Sequence, residues 1–271
     1  MSLNIGYFAD GPWSHQAFDK LINDSDILIK FICVRFDSQD EILKKYCKKY
    51  GIDYLRDRNV NSKKFINKLS EYNCDLFVSM SFNQIFKKEI INLTKYKIIN
   101  CHSGKLPFYR GRNVLNWALI NGEDEFGITV HYVDEGIDTG DIILQDIHSI
   151  ALQDNYSTLL TRSYSGCANI LYKAVALFKN GKVKGSKQKN MHPVGFYCTQ
   201  RKIGDEIINW DDTSINVFNF IRSICHPGPI ARAFINGIEV KINKSEIISV
   251  SYTHLRAHET PEHLVCRLLL E

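Results

Sequence analysis

Asn100, His102 and Asp138 are the residues whose types and spacing could carry an acyl transfer. Asn100 and His102 stand two apart in KIINCH, a stretch that reads as a buried strand over Lys97–Cys101. On extended backbone, residues i and i+2 share a face, so an amide and an imidazole converge at the strand's C-terminal end. An amide N–H can stabilise an oxygen that is becoming negative, and an imidazole can move a proton near neutral pH. Asp138 lies in DEGIDTGD, where Gly136 and Gly140 let the backbone turn sharply. A carboxylate there could orient the imidazole and favour its protonated form. Taken singly, each residue has a plainer role: a structural hydrogen-bonding histidine, a loop-capping asparagine, a turn aspartate. The triad alone therefore leaves function open.

The elements around these residues define an α/β fold. Short apolar strands alternate with amphipathic helices through the first half, the signature of a mostly parallel sheet. Strands are expected at Asn4–Phe8, Ile27–Val34 and Asp75–Met80, and helices from an N-cap at Ser14 to about Ile22, at Glu41–Tyr50 and at Lys63–Tyr72. Asn113 is expected to cap a helix over Val114–Ile120, with strands at Gly127–Val133 and Ile142–Ile147 to follow. Apolar residues at 160, 164, 167, 168, 171, 175 and 178 mark a long helix over Ser157–Phe178. The first domain is expected to span 1–180. The basic stretch GKVKGSKQKN then leads to a small α+β domain, 181–248, with a helix capped by Asp212 or Thr213 and Ile215, Phe218, Ile221 and Ile224 on one face. The first strand-to-helix turn has no GxGxxG and the chain no GxxxxGK[ST], which disfavours dinucleotides and nucleotide triphosphates.

Composition excludes several classes. The chain has 271 residues, 44% hydrophobic and 24% charged, as in ordinary globular proteins. A net charge of +4 is too small and dispersed for a nucleic-acid binder but suits an anionic small substrate. No apolar run approaches the roughly 18 residues of a membrane span, and a cytoplasmic protein is expected. Eight singly scattered cysteines give neither a disulfide framework nor a zinc site, so no metal is expected.

The run from Asn100 to Asp141 resembles the 10-formyltetrahydrofolate-dependent formyltransferases. It carries Asn-x-His, Leu106-Pro107, Tyr109-Arg110-Gly111-Arg112, Leu115-Asn116-Trp117, Asn121-Gly122-Glu123, Gly127, His131 and the Asp138-x-Gly140 turn. The resemblance implies a Rossmann-like domain in which Asn100 polarises the formyl oxygen, His102 handles the proton and Asp138 positions His102 or a water. It also implies that the loop Ser81–Phe86 and the turn after Val133 bind the folate, with Phe82, Gln84, Ile85, Phe86 and Asp134 as its contacts; the loop's backbone N–H and C=O groups are the expected readers of the pterin, and the side chains of Phe82, Ile85 and Phe86 are expected to pack as core.

The string GKLPFYRGRNVLNWALING looks like the sugar-nucleotide N-formyltransferases of that family, which implies an amino-sugar nucleotide acceptor in glycan biosynthesis. Lys105, Tyr109, Arg110, Arg112, Tyr197 and Arg201 are the expected acceptor contacts, because arginine's planar fork matches phosphate oxygens. The expected partners are small molecules, with neither nucleic acid nor membrane, and a homodimer is left open. Methionyl-tRNA formyltransferase is the rival reading. It shares Tyr-Arg-Gly and Trp but carries a basic, glycine-containing insertion where this chain has the short acidic FDSQDEI of Phe36–Ile42. A non-catalytic folate- or nucleotide-binding module is the third alternative, and the intact triad argues against it. Two features depart from the family. Ser103-Gly104-Lys105 stands where many relatives have Ser-Leu-Leu, and residues 249–271 resemble translated sequencing-adapter sequence, a non-native tail in which His254, His258 and His263 are accidental.

Overall fold

The computed structural model describes residues 2–249 and 264–269. The chain runs β1 (Leu3–Ala9), α1 (Gly11–Ile22), β2 (Ile27–Val34), α2 (Glu41–Tyr50), β3 (Asp53–Arg56), α3 (Lys63–Ser70), β4 (Leu76–Met80), α4 (Lys88–Ile91), β5 (Ile98–His102), β6 (Arg110–Gly111), α5 (Val114–Ile120), β7 (Glu125–Tyr132) and β8 (Ile142–Ser149). It continues through α6 (Tyr156–Leu177), β9 (Tyr197–Cys198), α7 (Ser214–Ile224), β10 (Ala231–Ile235), β11 (Ile238–Ile242), β12 (Lys244–Ser249) and β13 (Leu264–Leu269). Two compact units interleave along this order. One takes Met1–Gly111, Gly127–His148 and Arg162–Tyr197, and the other Arg112–Phe126, Ser149–Thr161 and Cys198–Glu271.

The first unit is built on a sheet of order β3-β2-β1-β4-β5-β7-β8. Strands β3 through β5 are parallel, and β7 pairs antiparallel with β5. All five residues of β4 are buried, the pattern of a strand covered on both faces. Phe8 of β1 packs edge-on against Phe31, Phe77, Phe82 and Phe86, at ring separations of 5.0–5.6 Å. This aromatic cluster ties the central strands to the loop after β4, where the resemblance expects folate.

Several expected elements shift. Helix α1 begins at Gly11, with Asp10 as N-cap, because Pro12 fits the first helical turn where no N–H partner is needed. Ser14 is therefore buried inside the helix, its hydroxyl donating to the Gly11 carbonyl at 2.8 Å. Strand β3 and the single turn α4 were not marked by the pattern, being only four residues each.

In the second unit, α5 and α7 are joined by Asn116 Nδ2, which donates to the Ser223 carbonyl at 2.6 Å. Asn113 precedes α5 in a left-handed conformation and makes no side-chain cap; its Oδ1 instead accepts from the Arg201 N–H at 3.0 Å. Thr213 does cap α7, accepting from the Asn216 N–H at 3.3 Å. Val217, Ile221 and Ile224 of α7 pack with Ala231, Ala233 and Ile242 of the β10–β11 hairpin, whereas Ile215 is exposed in the first helical turn. Strands β12 and β13 pair antiparallel, Lys244 opposite Leu269. The other residues of the expected tail, with His254, His258 and His263, lie outside the described residues. Among the described residues no helix is long and apolar enough to cross a membrane.

Candidate active site

Strand β5 brings Asn100 and His102 to its C-terminal end, opposite His131 and Thr129 of β7 in register. The turn between β7 and β8 returns Asp138 to the same point. Asp138 adopts φ +54°, a left-handed conformation uncommon for a side-chain-bearing residue, and costly backbone of this kind persists where the surroundings hold it. Gly140 permits the return, since a Cβ there would lie 1.8 Å from the Tyr132 carbonyl oxygen.

The Asp138 carboxylate stands between two imidazoles. Its Oδ2 is 3.7 Å from His102 Nδ1 and accepts from the Gly111 N–H at 2.9 Å. Its Oδ1 is 3.5 Å from His131 Nε2. Burial alone would raise this carboxyl group, but His102, His131 and the Gly111 N–H together hold it well below the usual carboxylate range. Asp138 is therefore an anion at any physiological pH. His102 Nε2 donates to the Tyr109 carbonyl at 2.7 Å, so the other ring nitrogen faces the carboxylate. Gly104 makes room for that ring: a Cβ at 104 would lie 2.4 Å from His102 Nε2 and 2.3 Å from the Tyr109 oxygen. The departure at Gly104 is thus coupled to the orientation of His102 in this chain.

Sequence reasoning missed Gln188. It is buried, and every polar atom of its amide is used. Nε2 donates to the carbonyls of Asp138 and Gly140, both at 2.8 Å, while Oε1 accepts from Arg110 Nε at 3.0 Å and Nη2 at 2.7 Å. Arg110 Nη1 donates to the Val194 carbonyl at 3.0 Å. Arg110 is accordingly a buried brace, and its expected place as a phosphate ligand is corrected: all three guanidinium nitrogens are engaged within the protein. A glutamine inside a lysine-rich stretch gives no signal of such a role.

The expected folate residues divide into supports and surfaces. The Phe86 side chain is buried in the aromatic cluster, as the core packing expected beside backbone recognition would have it. Phe82 stacks on Phe86 at 5.6 Å and is only partly buried. The Gln84 side chain is spent on the neighbouring segment, accepting from the Val60 N–H at 3.0 Å and donating to the Asp57 carbonyl at 2.8 Å. Asn61 Nδ2 donates to the Ile85 carbonyl at 2.8 Å. Asp134 closes its own turn, its Oδ1 accepting from the Gly136 N–H and the Thr139 hydroxyl at 3.1 and 2.5 Å. What remains for a planar ligand is apolar: Ile85 is 60% exposed and Ile137 51% exposed.

The acceptor residues also divide. Tyr109 is buried, its ring 4.7 Å from that of Phe196, and acts on the site through the carbonyl that holds His102. Tyr197 is exposed, with the Arg110 guanidinium 5.3 Å from its ring centre. Lys105 is partly buried, its backbone close against Gly127. In the second unit, Arg112 is exposed, whereas Arg201 lies against the rings of Trp117 and Phe220 at 5.8 and 5.5 Å and donates to the Asp205 carbonyl. A basic cavity of about 580 Å³, lined by Lys44, Arg56, Lys64 and Lys68 among others, includes none of the expected site residues.

The connection from β2 to α2 is short, six residues from 35 to 40, and internally tied. Asp37 accepts from Arg35 at 3.2 and 3.1 Å, and Asp10 accepts from the Ser38 hydroxyl. Asp40 caps α2 through the Ile42 and Leu43 N–H groups and also accepts from the Gly11 N–H and His15.

Comparison with known proteins gives two family matches: formyl transferase over residues 33–175, and formyl transferase, C-terminal domain, over residues 202–257. The chain is 35% identical over 222 residues to the methionyl-tRNA formyltransferase of Fusobacterium nucleatum subsp. nucleatum, covering 82% of this chain and 71% of that protein. Of seven further methionyl-tRNA formyltransferases it matches, it spans from 60% to 81% of the length. In structure it resembles an N-formyltransferase from Helicobacter canadensis in complex with folinic acid and dTDP-3-aminofucose, with TM-score 0.69 and 23% identity over 99% of this chain and 100% of that one. It also resembles a 4-N formyltransferase from Francisella tularensis, with TM-score 0.73 and 23% identity over 89% and 96%. At such identities the structural likeness shows the fold.

Proposed function

Since the chain belongs to the formyl transferase family, we propose that it moves a formyl group from 10-formyltetrahydrofolate to the amine of a nucleotide-linked amino sugar, such as a dTDP-amino-dideoxyhexose. The observation that carries the acceptor is the β2–α2 connection. Where the tRNA-specific enzymes have a basic insertion, this chain has six residues whose acidic groups are locked to one another's neighbours. The one arginine of this turn, Arg35, is paired with Asp37, whereas affinity for a polyanion depends on cations laid along its phosphates. The likeness, over 99% of this chain, to an N-formyltransferase in complex with folinic acid and dTDP-3-aminofucose supports the same reading.

In this reading a neutral sugar amine attacks the formyl carbon, and the oxygen becomes an oxyanion facing the Asn100 amide. Preorganised donors of this kind are worth roughly 3–4 kcal/mol each in the transition state. The attacking nitrogen then loses a proton, the bond from carbon to the folate nitrogen breaks, and that nitrogen gains a proton. His102 is the group placed to relay it, held by the Tyr109 carbonyl on one side and Asp138 on the other. Ionised Asp138 stabilises the imidazolium that forms in passing. Ile85, Ile137 and the partly buried Phe82 give the folate's rings an apolar surface. Tyr197 is an exposed aromatic suited to a base.

The second reading, methionyl-tRNA as acceptor, is favoured by the curated relatives. A competition assay separates the two: amino-sugar nucleotide and methionyl-tRNA offered together with one supply of formyl donor. Formylation of the sugar amine, only weakly sensitive to salt, supports the proposal. Turnover of tRNA alone, falling steeply with salt, overturns the acceptor while leaving the triad in place.

A further inference from the structure

His131 is not part of the Asn100–His102–Asp138 triad, yet it touches two of the three members. It stands opposite Asn100 in the β5–β7 register, is buried, and has both ring nitrogens engaged. We propose that His131 is a positioning residue that fixes which end of the Asn100 amide faces the reacting formyl group.

The argument starts from Tyr132. Its carbonyl lies 2.7 Å from His131 Nδ1, and a carbonyl only accepts, so Nδ1 carries a hydrogen. In the neutral ring Nε2 is then a lone pair. The Asn100 amide sits 3.3 Å from that lone pair through Nδ2. Turned the other way, the amide would set its own oxygen lone pairs against Nε2, which is repulsive. The tautomer imposed by Tyr132 therefore selects the amide orientation, a choice the Asn100 side chain cannot make by itself. With one N–H spent on His131, the second N–H of the same nitrogen is left for the oxyanion. Asp138 Oδ1, 3.5 Å away, is the charged group facing Nε2, and it in turn faces His102. A proton on Nε2 would point to Asp138 and leave the Asn100 nitrogen without its acceptor, so this amide orientation and a hydrogen on Nε2 exclude each other.

This inference rests on Asn100 as the oxyanion donor, and a double-mutant cycle separates the two claims. The full chain is assayed with formyl donor and the acceptor it turns over. Asn100→Ala should lower kcat about 10²–10³-fold, the usual loss of one such donor. His131→Phe keeps ring volume but removes the acceptor, and kcat should fall at least tenfold with KM for the donor little changed. His131→Gln, whose Oε1 can accept in place of Nε2, should recover much of that loss. In the Asn100→Ala background, His131→Phe should cost little further. Equal losses from His131→Phe in both backgrounds would overturn the positioning role, and an unaffected Asn100→Ala would overturn the donor itself. The wild-type protein supplies a test free of folding effects. Nitrogen NMR of isotope-labelled histidine should show His131 as the Nδ1–H tautomer, and the Nε2–H tautomer would overturn the proposal.

Discussion

Replacing Gln188 separates the brace from the chemistry. Gln188→Leu removes two neutral hydrogen bonds to the Asp138 and Gly140 carbonyls and two charge-assisted bonds from Arg110, all in buried surroundings. Neutral bonds contribute about 1 kcal/mol each, and bonds to charged groups about 1.5–3 kcal/mol. These effects are not additive around one side chain, and leaving the buried Arg110 charge without its acceptor costs about 3–5 kcal/mol in total. At roughly 2–4 °C per kcal/mol for a chain of this size, Tm should fall by about 6–20 °C. Gln188→Glu is the informative companion. A carboxylate still accepts from Arg110, so that part of the stability is kept, but it cannot donate to the two carbonyls that shape the Asp138 turn. Differential scanning calorimetry should therefore find Gln188→Glu destabilised less than Gln188→Leu, while steady-state kinetics show kcat reduced about tenfold or more, since misplacing a reacting group by an ångström can cost 10²-fold. A Gln188→Leu variant with wild-type Tm and kcat would refute the brace. So would a Gln188→Glu variant as unstable as Gln188→Leu yet fully active when folded.

The remaining predictions concern the triad and its surroundings. His102→Ala should lower kcat about 10²-fold or more, the usual scale of acid–base contributions, and near-wild-type turnover would exclude His102 as the proton relay. Asp138→Asn should cost stability as well as rate. Because the folded-state carboxyl is held low, its contribution is full above the ordinary value of about 3.9 and lost as pH falls below that. Denaturant midpoints of wild type and Asp138→Asn should converge on acidification from that point, and a gap that widened would contradict the sign. Gly104→Ala should displace the His102 ring from the Tyr109 carbonyl and lower kcat with little change in donor KM; unchanged kcat would show that the close approach has no catalytic consequence.

The order of the main elements was legible because each left a pattern. Short apolar runs marked β1, β2, β4 and β5, glycine ended α2 at Gly51, and threonine capped α7. Spacing placed Asn100 and His102 on one face, and the paired glycines pointed to the Asp138 turn. Three things were not legible, each for a physical reason. Strand β3 and helix α4 are too short to show periodicity. The part taken by Gln188 depends on contacts made 48 to 78 residues away in sequence, to Gly140 and Arg110, so nothing near it announces the role. Arginine type alone could not distinguish Arg112, which is exposed, from Arg110, whose nitrogens are all consumed inside the protein.

The most direct measurement of the central claim is the identity of the product. The full chain is incubated with 10-formyltetrahydrofolate and a panel of nucleotide-linked amino sugars, and the mixture is resolved by mass spectrometry. The account predicts a single formyl group on the sugar amine of at least one member, with deformylated folate in equal amount, and both products formed about 10²–10³-fold more slowly by Asn100→Ala. Release of free formate with every sugar left unmodified, or formyl transfer confined to methionyl-tRNA, would contradict it.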